Sequence, residues 1–88
     1  MIHSAMPTVA AFNGIKIELY FDEHPPPHFH ARYAEFIAQI DMETLEIRNG
    51  SLPRSQFRMV QAWALPRMAA LRAAWAVCLA GGNPGRIE

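Results

Sequence analysis

Three of the four histidines fall within seven residues, in Asp22-Glu23-His24-Pro25-Pro26-Pro27-His28-Phe29-His30. Imidazole changes charge near neutral pH and is the commonest metal ligand, so chemistry would be sought here first. His28 and His30, two apart on an extended chain, project from one face about 7 Å from each other. Converging rings at that spacing can share a zinc, nickel or iron ion. His24, across the proline loop, could return as a third ligand, with Asp22 or Glu23 as a fourth. Two histidines and a carboxylate leave open positions, as in non-haem iron enzymes, and the stiff prolines would lower the entropic cost of assembling such a site. Two readings without a metal stand beside this one. The histidines can be polar residues on an outer strand face with the prolines setting the register. Alternatively, the run can be an extended recognition edge flanked by Phe29 and Tyr33. A bare His-x-His is a weak pattern, so the divalent transition metal is one reading and not the preferred one.

The elements that would hold this run follow from hydrophobic periodicity. After the Asn13-Gly14 turn signal, Ile15, Ile17, Leu19 and Phe21 alternate with polar residues, predicting a half-buried strand over 15–21. The prolines cannot donate to a sheet ladder, so the strand ends there. Alternation resumes over 28–33, with His28, His30 and Arg32 expected on the outer face, and again over 36–41, with a tight hairpin around Ala34. A short last strand over 44–48 follows the Asp41–Thr44 turn, and Asn49-Gly50-Ser51 closes the sheet. The expected fold class is α+β: an antiparallel sheet of three to four strands followed by one long, kinked C-terminal helix over 53–80. That helix shows in Phe57, Val60, Ala64, Met68, Leu71, Trp75 and Cys78, a stripe at steps of three and four. Ser51 is a candidate cap and Gly81-Gly82 the stop. Pro66 interrupts the pattern without shifting its phase, as a bend would.

Two further helix faces carry information. Met59, Trp63, Ala70 and Val77 fall together, away from the core stripe, and one helix on one sheet buries only one side. They are a candidate interaction face, for a homodimer or a partner protein. Arg54, Arg58 and Arg72 share a flank that could follow phosphates, which makes nucleic acid another possible partner. Cys78 lies on the core stripe, where a packed thiol is expected. No glycine-rich phosphate loop and no serine with an evident base is present. Paired carboxylates such as Asp41 and Glu43 could serve a nuclease, so whether the chain is an enzyme stays open.

Composition sets the frame. Eighty-eight residues with 51% apolar content support a single domain with a packed core. Residues 6–88 are expected to form that domain and 1–5 a flexible extension. One cysteine allows no internal disulfide, and with no membrane-length apolar run and no signal-peptide pattern the expected location is the cytoplasm. Charge is split between the halves. Residues 1–46 hold two cations against seven acids, a balance of −5, and residues 47–88 hold six arginines against one acid, a balance of +5. Such halves can attract each other within the fold or across a dimer.

With these pieces in order, the chain resembles domain-of-unknown-function family 4160, small bacterial proteins. The resemblance rests on Met6-Pro7-Thr8, Asn13-Gly14-Ile15, the run from Tyr20 to Ala31, Ile40-Asp41 to Leu45-Glu46, Gly50-Ser51-Leu52-Pro53-Arg54, and Trp63 and Trp75. It covers roughly residues 6–87, with His-Pro-Pro-Pro-His-Phe-His as its most specific part. It implies a prokaryotic cytosolic protein, often encoded beside a small protein of domain-of-unknown-function family 2442, in an arrangement like a toxin–antitoxin pair. No activity comes with it. Ala34 departs from the glycine usual in the family, and the helix has fewer acids than its relatives. The first expectation is therefore a protein-interaction or regulatory module acting with a second small protein or as a homodimer. The alternatives are a small metal-dependent enzyme using His24, His28 and His30, with RNA as one candidate substrate, and a nucleic-acid-binding regulator using the arginine flank.

Overall fold

Asn13 and Gly14 both take left-handed backbone angles, φ 50° and 78°, the combination required by a two-residue type I′ turn. They join β1 (Thr8–Phe12) to β2 (Ile15–Glu18), with Phe12 opposite Ile15. This computed structural model describes residues 7–21 and 24–87. The expected extension over 1–5 lies outside the described residues, as do Asp22 and Glu23.

The sheet continues through β3 (His28–Tyr33), β4 (Phe36–Asp41) and β5 (Ile47–Gly50). All neighbours are antiparallel and the spatial order follows the chain. The sheet therefore has five strands, where sequence periodicity predicts three to four. The additional strand is β1. It lacks clean alternation because Val9 and Ala10 are both buried, next to an irregularity in its pairing with β2.

The last strand is also displaced, running over Ile47–Gly50 and not 44–48. Asp41 explains the delay. Its Oδ1 accepts the backbone N–H groups of Glu43 (2.7 Å) and Thr44 (3.0 Å), and Leu45 N–H donates to the Asp41 carbonyl at 2.8 Å. Leu45 sits at φ 59°, so pairing resumes only beyond it. Asn49 and Gly50, expected to close the sheet, belong to β5 and pair with Gln39 and Ala38.

From Arg54 the chain is helical to Leu79: α1 (Arg54–Ala64), a single 3₁₀ turn (Leu65–Arg67) and α2 (Met68–Leu79). Pro66 has no N–H to give to the α ladder, and the 3₁₀ turn falls on it. Arg67 Nη1 donates to the Trp63 carbonyl at 2.8 Å, satisfying an acceptor where the ladder changes type. The stripe keeps its phase across this turn, with Val60, Ala64, Leu71, Trp75 and Cys78 all buried. Ser51 does not cap the helix. Pro53 holds the cap position without a side-chain bond, and its carbonyl accepts Phe57 N–H at 2.9 Å. At the other end Gly81 (φ 84°) donates to Cys78 and Gly82 to Val77, a Schellman termination that only a left-handed residue permits.

The core lies between one sheet face and this stripe. Ile15, Ile17, Leu19, Phe29, Ala31 and Ile40 are fully buried, as are Val60, Ala64 and Leu71 opposite them. The chain's end returns to the sheet, where Ile87 N–H donates to the Val9 carbonyl at 2.7 Å. Among the described residues no helix is long and apolar enough to cross a membrane.

Candidate functional site

The histidine run divides into residues with different surroundings. His24 is exposed on the proline loop, whose Pro25–Pro26 bond is cis. His28, expected on an accessible outer face, is buried at 3% exposure. The cause is Trp75, which reaches from α2 to the first residue of β3, with its ring centroid 5.1 Å from the imidazole. His28 Nδ1 lies 2.9 Å from the Pro26 carbonyl. A carbonyl only accepts, so Nδ1 carries the proton and donates. Arg48 Nη1 donates to the same carbonyl at 3.3 Å. It also lies 3.4 Å from His28 Nδ1, but a protonated nitrogen cannot accept, so that approach is packing. His28 thus ties the proline loop to α2, and Arg48 ties it to β5.

His30 is half-buried and keeps the placement expected of it. It meets His28 edge to face at 5.4 Å and stacks on Tyr20, with centroids 3.9 Å apart and planes 8° from parallel. Sheet register sets its neighbours. Thr8, Glu18, His30, Gln39 and Asn49 are successive cross-strand partners, a polar row running through all five strands. Within it Glu18 is buried at 5% exposure. Its Oε1 faces Arg32 Nε at 3.5 Å, near enough for an ion pair but not aligned as a hydrogen bond. Beside the row is an open groove of ≈ 280 Å³ lined by Tyr20, His30, Ile37, Gln39, Asn49 and Gly50.

The residues of the proposed ligand set His24, His28, His30 and Asp22 are placed differently from one another. His28 and His30 come together, His24 stands on the exposed loop, and Asp22 lies outside the described residues. Among the described residues no group of three or more His, Cys, Asp or Glu side chains is placed to hold a metal ion. The Asp41 carboxyl serves its turn. The Thr44 N–H holds it below the usual carboxylate range against the opposing effect of burial, and Glu43 N–H and Arg48 add to the lowering. Cys78 is 1% exposed, and burial pushes its thiol up, away from the nucleophilic thiolate.

The helix faces sort differently as well. Met59 and Trp63 are half-buried and pack against the core, whereas Ala70 and Val77 are exposed. Trp63 stacks on Phe12 of β1 at 5.5 Å, meets Phe29 edge-on at 6.5 Å, and carries the Arg67 guanidinium 5.2 Å over its ring. The strand that sequence periodicity misses is what covers it. On the helical segment the exposed large apolar side chains are Leu65 (69%), Val77 (40%) and Leu79 (47%). Arg54 and Arg58, both exposed, line an open groove of ≈ 510 Å³ with Glu46, Leu52, Phe57 and Gln61. Arg72 is exposed on α2, beyond the 3₁₀ turn. Tyr20, Gln39, Asn49 and Arg48 are not candidates from sequence. Cross-strand register reveals Gln39 and Asn49, and Tyr20 and Arg48 enter through their side-chain contacts with His30 and with the Pro26 carbonyl, although the polar positions of the alternating runs carry the signal for Tyr20 and Gln39.

Comparison with protein families gives a match over residues 14–76 to the family described as domain of unknown function (DUF4160). Among curated proteins and among solved structures nothing matches.

Proposed function

The chain belongs to the family described as domain of unknown function (DUF4160), and since no activity travels with that membership, we propose its function from its surfaces. It is a protein-interaction module that docks through the outward side of α2, against a second copy of itself or a small partner protein. One observation carries this reading. Between Met68 and Ala80 the exposed residues are Ala69, Ala70, Arg72, Ala73, Ala76, Val77, Leu79 and Ala80, and Arg72 alone is charged. A helix lying on a sheet ordinarily turns charged and polar residues to water. A contiguous apolar surface is what interfaces bury. Small side chains let a partner approach the helix closely, and Val77 and Leu79 supply the larger contacts. The opposed charges of the two halves add attraction between copies.

Ala73→Glu tests it, because Ala73 is exposed and its replacement leaves the core untouched. Light scattering of the unmodified chain, alone and mixed with a small protein of domain-of-unknown-function family 2442, the partner that the resemblance implies, should give a mass above that of the monomer. Ala73→Glu should return it to the monomer without lowering the melting temperature. A chain that stays monomeric both alone and in that mixture overturns the reading.

A further inference from the structure

The groove beside the polar row sits on the sheet side opposite Phe29 and Ala31, where core packing does not account for its composition. Tyr20 and His30 form a face-to-face stack there, with centroids 3.9 Å apart, and a third flat ring would extend it. Gln39 and Asn49, cross-strand partners, place two carboxamides side by side next to them. Asn49 Oδ1 accepts the Gly50 N–H at 2.9 Å, which leaves its amide nitrogen as the donor to the groove. Gly50, without a side chain, keeps that end open. One register step along, Lys16 and Arg32 are cross-strand partners on the same sheet side as Glu18 and His30, roughly 7 Å away by strand geometry. Among the described residues two acids lie in or beside the row: Glu18 is buried and faces Arg32, and Asp41, one register step the other way, is engaged by its own turn and by Arg48.

We propose that this groove binds a nucleobase, with the phosphate of the same nucleotide directed toward Lys16 and Arg32. Stacked aromatic rings on an antiparallel sheet give bases a flat partner regardless of their identity. Adjacent amides supply both donor and acceptor to a base edge. A volume of ≈ 280 Å³ suits a single base and not an extended ligand. The cations lie within one nucleotide's reach of the rings. A free nucleotide and a base within single-stranded RNA present the same chemistry, and the experiment separates them.

The test is fluorescence anisotropy with a labelled single-stranded RNA octamer, and with nucleoside monophosphates as both competitors and direct ligands. Binding should saturate and weaken at least tenfold in Gln39→Ala and in Tyr20→Ala. It should weaken in Lys16→Ala and stay unchanged in an Arg54→Ala/Arg58→Ala double variant. Full competition by a monophosphate assigns the site to free nucleotides, whereas tight RNA binding that monophosphates barely displace assigns it to single strands. Should Tyr20→Ala not fold, Gln39→Ala decides, since Gln39 lies at the surface of the groove. The proposal is overturned if neither probe binds, if binding survives Gln39→Ala, or if it is lost in the Arg54→Ala/Arg58→Ala variant.

Discussion

His28 on β3 and Trp75 on α2 lie with ring centroids 5.1 Å apart and planes inclined by 55°. The contact joins the start of a central strand to the last helix. With the bond from His28 to the Pro26 carbonyl, it makes the most distinctive stretch of the sequence part of the packing. His28→Ala should therefore cost about 2–4 kcal/mol, from the lost hydrogen bond and the space left beside Trp75. His24→Ala, at an exposed position, should change stability by less than about 0.5 kcal/mol. Urea unfolding of the two variants measures the difference.

Gly50 should not tolerate a side chain. A Cβ there would stand 2.0 Å from the Ile37 carbonyl oxygen and 3.1 Å from its carbon, and the residue already sits at φ 78°. Backbone atoms cannot swing aside as a side chain can, so Gly50→Ala must displace β5 from β4. The expected loss exceeds about 1–3 kcal/mol. Thermal melting should show it, with hydrogen exchange fastest at Ser51, whose N–H donates to the Ile37 carbonyl.

Ala34 makes the opposite case. It holds φ 51° as the first residue of the two-residue turn between Tyr33 and Phe36, a conformation costing an L-residue about 1–2 kcal/mol. Glycine removes that strain but gives up backbone entropy of about 0.5–1 kcal/mol. Ala34→Gly should thus stabilise the protein by about 0.5–1 kcal/mol, read as a higher urea midpoint with an unchanged slope.

Asp41 sets an acid limit. Its folded carboxyl is held below the ordinary 3.8, first by the Thr44 N–H. A group depressed on folding contributes stability that is present above its unfolded pKa and lost as pH falls through the lower folded value. The contribution should be intact at pH 6 and disappear progressively below 3.8. Asn in its place still accepts the turn hydrogen bonds but does not titrate. Asp41→Asn should flatten the fall in stability between pH 5 and pH 2, as urea midpoints along that range would show.

Much of this fold is legible from sequence because single periods dominate its elements. Ile15 to Leu19, His28 to Tyr33 and the stripe from Val60 to Cys78 each declare one buried side. β1 escapes because Val9 and Ala10 are both buried at an irregular pairing, even though Asn13-Gly14 already marks a hairpin with two arms. The shifted start of β5 depends on how Asp41 uses its carboxylate, which composition cannot show. The burial of His28 depends on Trp75, 47 positions later in the chain. The groove of Tyr20, Gln39 and Asn49 exists only through register across strands and the stacking of Tyr20 on His30. Trp63 stands out in the sequence, but its cover, Phe12, belongs to the strand that periodicity leaves out.

Sedimentation velocity across a concentration series tests the role of α2 most directly. The unmodified chain, alone or with a small partner protein, should show a concentration-dependent shift from monomer to a single larger species. Val77→Glu, at an exposed position, should abolish that shift while the far-ultraviolet circular dichroism stays the same. A monomer at every concentration and in every mixture, or an assembly indifferent to Val77→Glu, would contradict the account.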